Sequence, residues 1–276
     1  MKNLGPETMA FFQQGAGGDV NEIFGEDFNN RRRTNDFGIK LGQSVLEGWR
    51  KITTGPAKLK VVAKNIEFPF RTDIPSCIST LKQEQAMLMA SLNTSYAYLL
   101  SFKEFIPLYL KYSLNPDYPS HLSFRYMQAD ECGDNRIKEE DERNRLEIRK
   151  YLDRIRTMER MTGNELKISM LKKHQEVIDE IGTTTIPAEI QGIKIGECVF
   201  ITAPMEILVE VGFNVKKMSP FKHTYITSIS NGYLHYAPPA SYYRRGGYEV
   251  TECLLDPGWE DIFYNVVRNI FNELNK

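Results

Sequence analysis

The sequence predicts an α/β protein with mixed sheets flanked by helices. Three observations lead there. Residues 58–68 alternate between apolar and polar side chains, as a long half-buried strand does. Two further strand-like runs, 183–195 and 197–202, are punctuated by Gly192 and Gly196. Segments with apolar residues at helical spacing precede, separate and follow these strands. Strands that alternate with helices bury their apolar faces in layers.

The elements follow in order. Thr8 to Gln14 reads as a short strand ending in the turn Gly15-Ala16-Gly17-Gly18-Asp19, where residues without a Cβ let the backbone bend sharply. No Gly-Lys-Ser/Thr follows, so it is not a nucleotide-binding P-loop. The run Asn29 to Arg33 is a solvated polar loop. Thr34 has the chemistry of a helix N-cap, and Phe37, Leu41, Val45, Leu46 and Trp49 fall on one helical face, with Gly55-Pro56 as the stop. In 58–68 the inward set is Leu59, Val61, Ala63, Ile66 and Phe68, with a slip of phase. Residues 76–114 read as helix broken at Pro107, ending in a Pro116/Pro119 loop. Glu139 to Met161 is dense in both signs of charge around a stripe of Leu146, Tyr151, Leu152 and Ile155: a long exposed helix with one packed face. Gly163-Asn164 divides it from a second helix, 165–181. Residues 206–217 form an amphipathic helix (Ile207, Leu208, Val211, Val215), 224–230 a strand, and Pro257 occupies the first position of a final helix to Leu274. That helix is expected to dock on the sheet.

With 276 residues the chain allows one large domain or two smaller ones. Its 35 basic and 36 acidic residues leave a net charge of −1, which offers no electrostatic footing for nucleic acid or an anionic membrane. The 41% hydrophobic content supports a packed core and disfavours disorder. Apolar runs such as Cys198 to Ile201 fall far below the ~18 residues that span a bilayer. The first residues lack the apolar core of a signal peptide. Cys77, Cys132, Cys198 and Cys253 show no CxxC spacing, so neither structural zinc nor a disulfide framework is implied, and Cys198 is expected to be a small buried hydrophobe.

Three clusters could carry chemistry. The first is the glycine turn with Asp19 and Asn21. In the second, Ile201-Thr202-Ala203-Pro204-Met205-Glu206, a strand stops at proline and a helix opens at a carboxylate. Glu206 can then face a crevice at a strand end, or simply favour the helix N-terminus. The third is Asn231-Gly232-Tyr233-Leu234-His235-Tyr236 with Gly246-Gly247-Tyr248-Glu249, whose tyrosines can line a site or fill a core.

Taken together and in this order, with twelve residues from Tyr236 to Tyr248, the clusters resemble the neutral/alkaline ceramidase family of zinc-dependent amide hydrolases. Phe12-Gln13-Gln14-Gly15-Ala16-Gly17-Gly18-Asp19-Val20-Asn21 belongs to the same set. The similarity covers 8–24 and 183–274, and for 34–180 the layout is compatible. The resemblance implies that the whole chain, 1–276, is the C-terminal part of a ceramidase-like catalytic domain, with 139–181 as a charged helical insertion. It implies zinc as cofactor, with Glu206 as its carboxylate ligand and Tyr236 as its phenolate ligand. Tyr248 takes the place of the oxyanion donor and Asn21 that of the family's serine. Gly18, Asp19, Tyr233 and His235 are placed along the substrate cleft.

The chain also departs from the family. The family's two zinc histidines precede the Gly-Asp turn, whereas the first histidine here is His121. The serine position holds Asn21, and no C-terminal immunoglobulin-like domain follows the last helix. The chain thus resembles shorter, N-terminally truncated relatives. His121 and His174 read as surface residues and His223 as structural. His235 is the best placed near the cleft, though alternation points it away from Tyr236. No Ser/His/Asp or Cys/His triad is supported. The expected function is zinc-dependent hydrolysis of an amide or related acyl bond in a small or lipid-like substrate, incomplete in this chain alone. The alternative is a non-catalytic interaction protein that keeps the fold but not the metal site. A missing N-terminal segment or a partner chain would supply the histidines and cover the sheet edge beside Gln14. Relatives of this kind are often exported, and no residue here shows export.

Overall fold

The long strand around residue 60 finds its partner in the strand around residue 190 in the computed structural model of the protein. The structure describes residues 7, 9–21, 34–93, 100–114 and 124–276. The Asn29 to Arg33 run, the Pro116/Pro119 loop, His121 and the Thr34 side chain lie outside the described residues. The chain runs α1(Thr34–Trp49) β1(Leu59–Pro69) α2(Ile74–Asn93) α3(Phe102–Leu114) α4(Phe124–Glu131) α5(Arg136–Ile181) β2(Thr185–Ile195) β3(Cys198–Thr202) β4(Glu206–Ile207) α6(Val209–Met218) β5(His223–Thr227) β6(Tyr236–Ala237) α7(Tyr248–Thr251) α8(Trp259–Asn275). This is a mixed α/β architecture with helices flanking sheets. It divides into one unit of Met1–Thr72 with His174–Lys276 and a second of Asp73–Lys173.

In the first unit, four strands form a sheet in the order β1-β2-β3-β5. β1 and β2 are antiparallel from Leu59↔Ile195 to Pro69↔Thr185, and β2 turns into β3 through left-handed Gly196. β3 and β5 are parallel, from Cys198↔His223 to Thr202↔Thr227, because α6 carries the chain back between them. The register of β1 is unbroken, so the expected phase slip does not occur. Val62, Ile66 and Phe68 face the core, while Leu59 and Val61 are exposed. Lys64 takes an inward position and reaches Glu273 of α8 at 2.6 Å. A long amine stem spans apolar surface while its charge stays at the rim, which is why the strand needs no bulge.

α8 docks on β1 and β2 as expected. Its buried face comprises Trp259, Phe263, Val266, Val267, Ile270, Phe271 and Leu274. It begins two residues after Pro257, with Gly258 as N-cap, because the Asp256 carboxylate already accepts the Gly258 N–H at 2.9 Å. Gly192 is the point of closest approach: a Cβ there would lie 2.2 Å from Ile270 Cγ2. The helix predicted around Phe37 forms as α1, with Phe37, Leu41, Val45 and Trp49 of its apolar face exposed. Residues 9–14 do not form a strand. Phe11 and Phe12 are exposed, and Gln14 contributes one sheet-like bond, its carbonyl accepting the Ser228 N–H at 2.9 Å.

The second unit is helical. Phe105 and Tyr112 of α3 pack on Ile148, Tyr151 and Leu152 of α5, with the Phe105 and Tyr151 rings stacked at 4.3 Å. Pro107 lies within α3 and does not break it. α5 is continuous across Gly163-Asn164, contrary to the predicted division. A helical glycine costs about 1 kcal/mol relative to alanine. Contacts from α2 bridge the spot: Gln85 Nε2 donates to Met161 O at 3.3 Å and to Glu165 Oε2 at 3.0 Å. α5 contributes residues up to Lys173 to this unit and those from His174 to the first.

The four cysteines form no disulfide. Cys253 is the buried one and Cys198 is half-buried, because the latter opens β3 at the sheet rim. Among the described residues, no helix is long and apolar enough to cross a membrane.

Candidate active site

Glu206 is held by backbone, not by a helix. The expected helix over 206–217 starts three residues later, at Val209, and Glu206 instead forms β4, which pairs in parallel with β6 so that Glu206 lies opposite Tyr236. The pairing of Glu206 and Ile207 with Tyr236 and Ala237 explains the offset, since those two residues are extended before α6 can begin. The loop after β5 wraps this segment: Ser230 N–H donates to Ala203 O at 3.0 Å, Leu234 N–H to Pro204 O at 2.6 Å, and Glu206 N–H to His235 O at 2.9 Å. Three non-glycine residues of that loop, Ile229, Asn231 and His235, have φ between 54° and 63°. Such conformations cost on the order of 1–3 kcal/mol each and persist where surrounding contacts over-determine them.

The glycine turn packs on the other side of β4. Gly18 N–H donates to Ile207 O at 3.0 Å, and a Cβ on Gly18 would lie 2.8 Å from Glu206 O. Asp19 Oδ1 accepts the Val209 N–H at 2.8 Å, so the carboxylate at the N-terminus of α6 comes from Asp19 rather than Glu206. Asn21, two residues beyond, is exposed.

Three tyrosines gather around Glu206. Tyr233 donates its hydroxyl to Glu206 Oε1 at 2.6 Å, Tyr236 lies opposite Glu206 and feels the charge of that carboxylate, and the Tyr236 and Tyr248 rings meet edge to face at 5.4 Å. Burial, then the Glu206 hydrogen bond and charge, push Tyr233 up to about 12. Burial, then the Glu206 charge, also raise Tyr236. Both phenols are therefore neutral donors at neutral pH. Tyr248 opens the short helix α7 with its side chain half exposed. These four residues come from three separate stretches of sequence.

A second group lies in the same unit. His174 is buried, contrary to the surface position read from its polar neighbours, because the end of α5 turns it toward Glu252. Its Nε2 is 3.2 Å from Glu252 Oε2, His235 Nδ1 is 3.6 Å from the same oxygen, and the two rings meet at 88°. Burial, then the charge His235 would carry, hold the His174 imidazole below its usual value, partly opposed by Glu252. Tyr233 connects the two groups, with its ring 5.2 Å from that of His235. No local signal marks His174 or Glu252 in the sequence, since 78 residues separate them. His223 starts β5.

A cleft of about 420 Å³ is lined by Asn65, Glu67, Glu189, Pro204, Asn231 and Leu234 among others. Asn231 Nδ2 donates to Glu189 Oε1 at 3.0 Å on its wall. Glu206 and Tyr236 do not line it.

Compared with known protein families and with curated proteins, the chain matches none. Among solved structures it is similar to a ceramidase complexed with C2, at 21% identity and a TM-score of 0.30, over 33% of this chain and 15% of that one. It is also similar to the neutral ceramidase from Pseudomonas aeruginosa, at 21% identity and a TM-score of 0.29, over the same shares. The match thus takes in well under two thirds of the length of either structure, and a likeness of that extent carries no argument about activity.

Proposed function

We propose that the chain carries part of the active site of a zinc-dependent hydrolase of the ceramidase-like group, acting on an amide or related acyl bond. The observation that supports this is the convergence of Glu206, Tyr233, Tyr236 and Tyr248. The motif resemblance points to these residues, and in the fold they are linked by a hydrogen bond, a strand pairing and a ring contact. Glu206 and Tyr236 offer two oxygen donors, half of a four-coordinate site, and the Tyr236 phenol is held protonated. On their own they do not fit zinc, so no step of the reaction is assigned to the metal.

The chain's own residues would act on the substrate as follows. Tyr248 is half exposed, and its hydroxyl can donate to the carbonyl oxygen as negative charge develops on it. Tyr233 orients the Glu206 carboxylate. The Asn21 carboxamide can accept and donate hydrogen bonds but is no nucleophile, which leaves water for that role.

A second reading, a non-catalytic protein that keeps the fold, is favoured by Asn21 and by the half-complete donor pair. One assay separates the two: fatty-acid release from an N-acylated long-chain amine by the full chain with zinc and added imidazole as a supplementary ring donor. The hydrolase reading expects zinc-dependent turnover that falls by about 100-fold in Tyr248→Phe, as for loss of an oxyanion donor, and is lost in Glu206→Gln. Absence of turnover under these conditions would overturn it in favour of the second reading.

A further inference from the structure

We infer that His174, His235 and Glu252 form a binding site of their own for a divalent transition cation of the zinc type. This goes beyond the preceding reading, which concerns Glu206 and Tyr236. Among the described residues, these three offer ligand atoms that all lie within 4.8 Å of one another. Two imidazoles and one carboxylate are a known donor set for zinc, with a fourth position open to water or a ligand.

The spacing agrees with this assignment. Bonds of about 2.0–2.2 Å to a tetrahedral zinc place neighbouring ligand atoms about 3.3–3.6 Å apart. The two imidazole nitrogens stand 3.2 and 3.6 Å from the same Glu252 oxygen. A hydrogen bond from His174 would account for one of these contacts. The His235 ring stands just beyond hydrogen-bond range of that oxygen, where a cation shared by the three side chains would also hold it. The two rings stand nearly perpendicular, with centroids 5.0 Å apart. The group is also reachable: the His235 side chain is 36% exposed, while that of His174 is 7%. Each ligand has a firm support. His174 sits on a long helix, Glu252 follows α7, and the His235 backbone is locked by an isolated bridge to Cys253 and by Glu206 N–H on its carbonyl.

Donor chemistry sets the class of ion. Magnesium and calcium prefer sets built wholly from oxygen, whereas two ring nitrogens and one oxygen suit zinc, cobalt or nickel. Buried Arg71, whose charge is felt at His174, opposes cation binding and Glu252 answers it. The site therefore needs all three ligands.

The test uses the chelator-treated full chain titrated with cobalt(II), followed by visible absorption, with zinc then displacing it. One tetrahedral cobalt per chain is expected, with magnesium and calcium unable to compete. His235→Gln and Glu252→Gln should each weaken binding by about 100-fold or more, beyond what loss of an outer partner costs. Both positions are partly exposed, and circular dichroism checks that the variants remain folded. His174→Gln should behave alike. Absence of cobalt binding, or binding unchanged in folded His235→Gln and Glu252→Gln, overturns the assignment. Binding lost in Glu206→Gln but kept in His235→Gln would place the ion at Glu206 and Tyr236, overturning this site while sustaining the preceding reading. A cobalt site kept in Glu206→Gln and lost in His235→Gln supports this site, whatever the outcome of the hydrolysis assay.

Discussion

Gly18→Ala tests whether the glycine turn holds the acidic strand in place. The new methyl would lie 2.8 Å from Glu206 O and 3.0 Å from Leu208 Cδ1, where carbon contacts are ordinarily about 3.5–4.0 Å. Leu208 can rotate, but the Glu206 carbonyl belongs to a strand pinned opposite Tyr236 and cannot retreat. The turn must lift by more than half an ångström. That stretches the Gly18 N–H bond to Ile207 O past hydrogen-bonding range and draws Asp19 from the Val209 N–H. The lost bond is worth about 0.5–1.5 kcal/mol and the lost cap about 1 kcal/mol. Alanine returns about 0.4–1 kcal/mol by restricting the unfolded chain. The net expectation is a loss of about 0.5–2 kcal/mol, read as a lower urea midpoint with an unchanged slope. Asp19→Ala alone should cost about 1 kcal/mol. Because both changes act through the same cap, the double variant should cost less than the two single losses combined. A Gly18→Ala variant at least as stable as the parent, or strictly additive losses, would falsify this account of the turn.

Two further expectations concern the sheet and the tyrosines. Gly192→Ala drives a methyl to 2.2 Å from Ile270 Cγ2 and 2.9 Å from Leu274 Cδ1, both on a buried helix face, and should cost about 1–3 kcal/mol by overpacking. The emission of Trp259, buried on that helix, reports the loss, and an unshifted urea midpoint would contradict the packing. Tyr233 should titrate near pH 12 in an ultraviolet absorbance titration, and Glu206→Gln should lower that value without restoring it to 10, since burial also raises it. Between pH 10 and about 12 the unfolded chain has released this proton and the folded chain has not, so stability falls as pH rises through that window. A Tyr233 that titrates at 10 in the parent protein would refute the placement of its hydroxyl.

Much of the fold is legible in local pattern. The alternation at 58–68, the glycines at 192 and 196, and the amphipathic face of the last helix led directly to β1, β2, β3 and α8. Pattern failed where a neighbour distant in sequence decided the outcome. Gly163-Asn164 reads as a break, yet Gln85 holds the helix together across it. Residues 9–14 read as a strand, but a strand needs a ladder and this stretch makes one sheet-like bond. Leu59 and Val61 read as inward because the inward lysine at 64 could not be foreseen without its partner Glu273.

The candidate site divides in the same way. The resemblance of the ordered motifs to a known family pointed to Glu206, Tyr233, Tyr236 and Tyr248, because each motif is a short run of residues. The sequence by itself also marked the α/β class, since periodicity of 2 or 3.6 residues reflects backbone geometry alone. Only the tertiary structure decided that Glu206 sits in a strand and that Asp19 caps the helix after it. The tertiary structure alone also brought His174 across 78 residues to Glu252 and His235. Burial and convergence depend on where a helix of 46 residues ends in space, and nothing within a few residues of His174 encodes that.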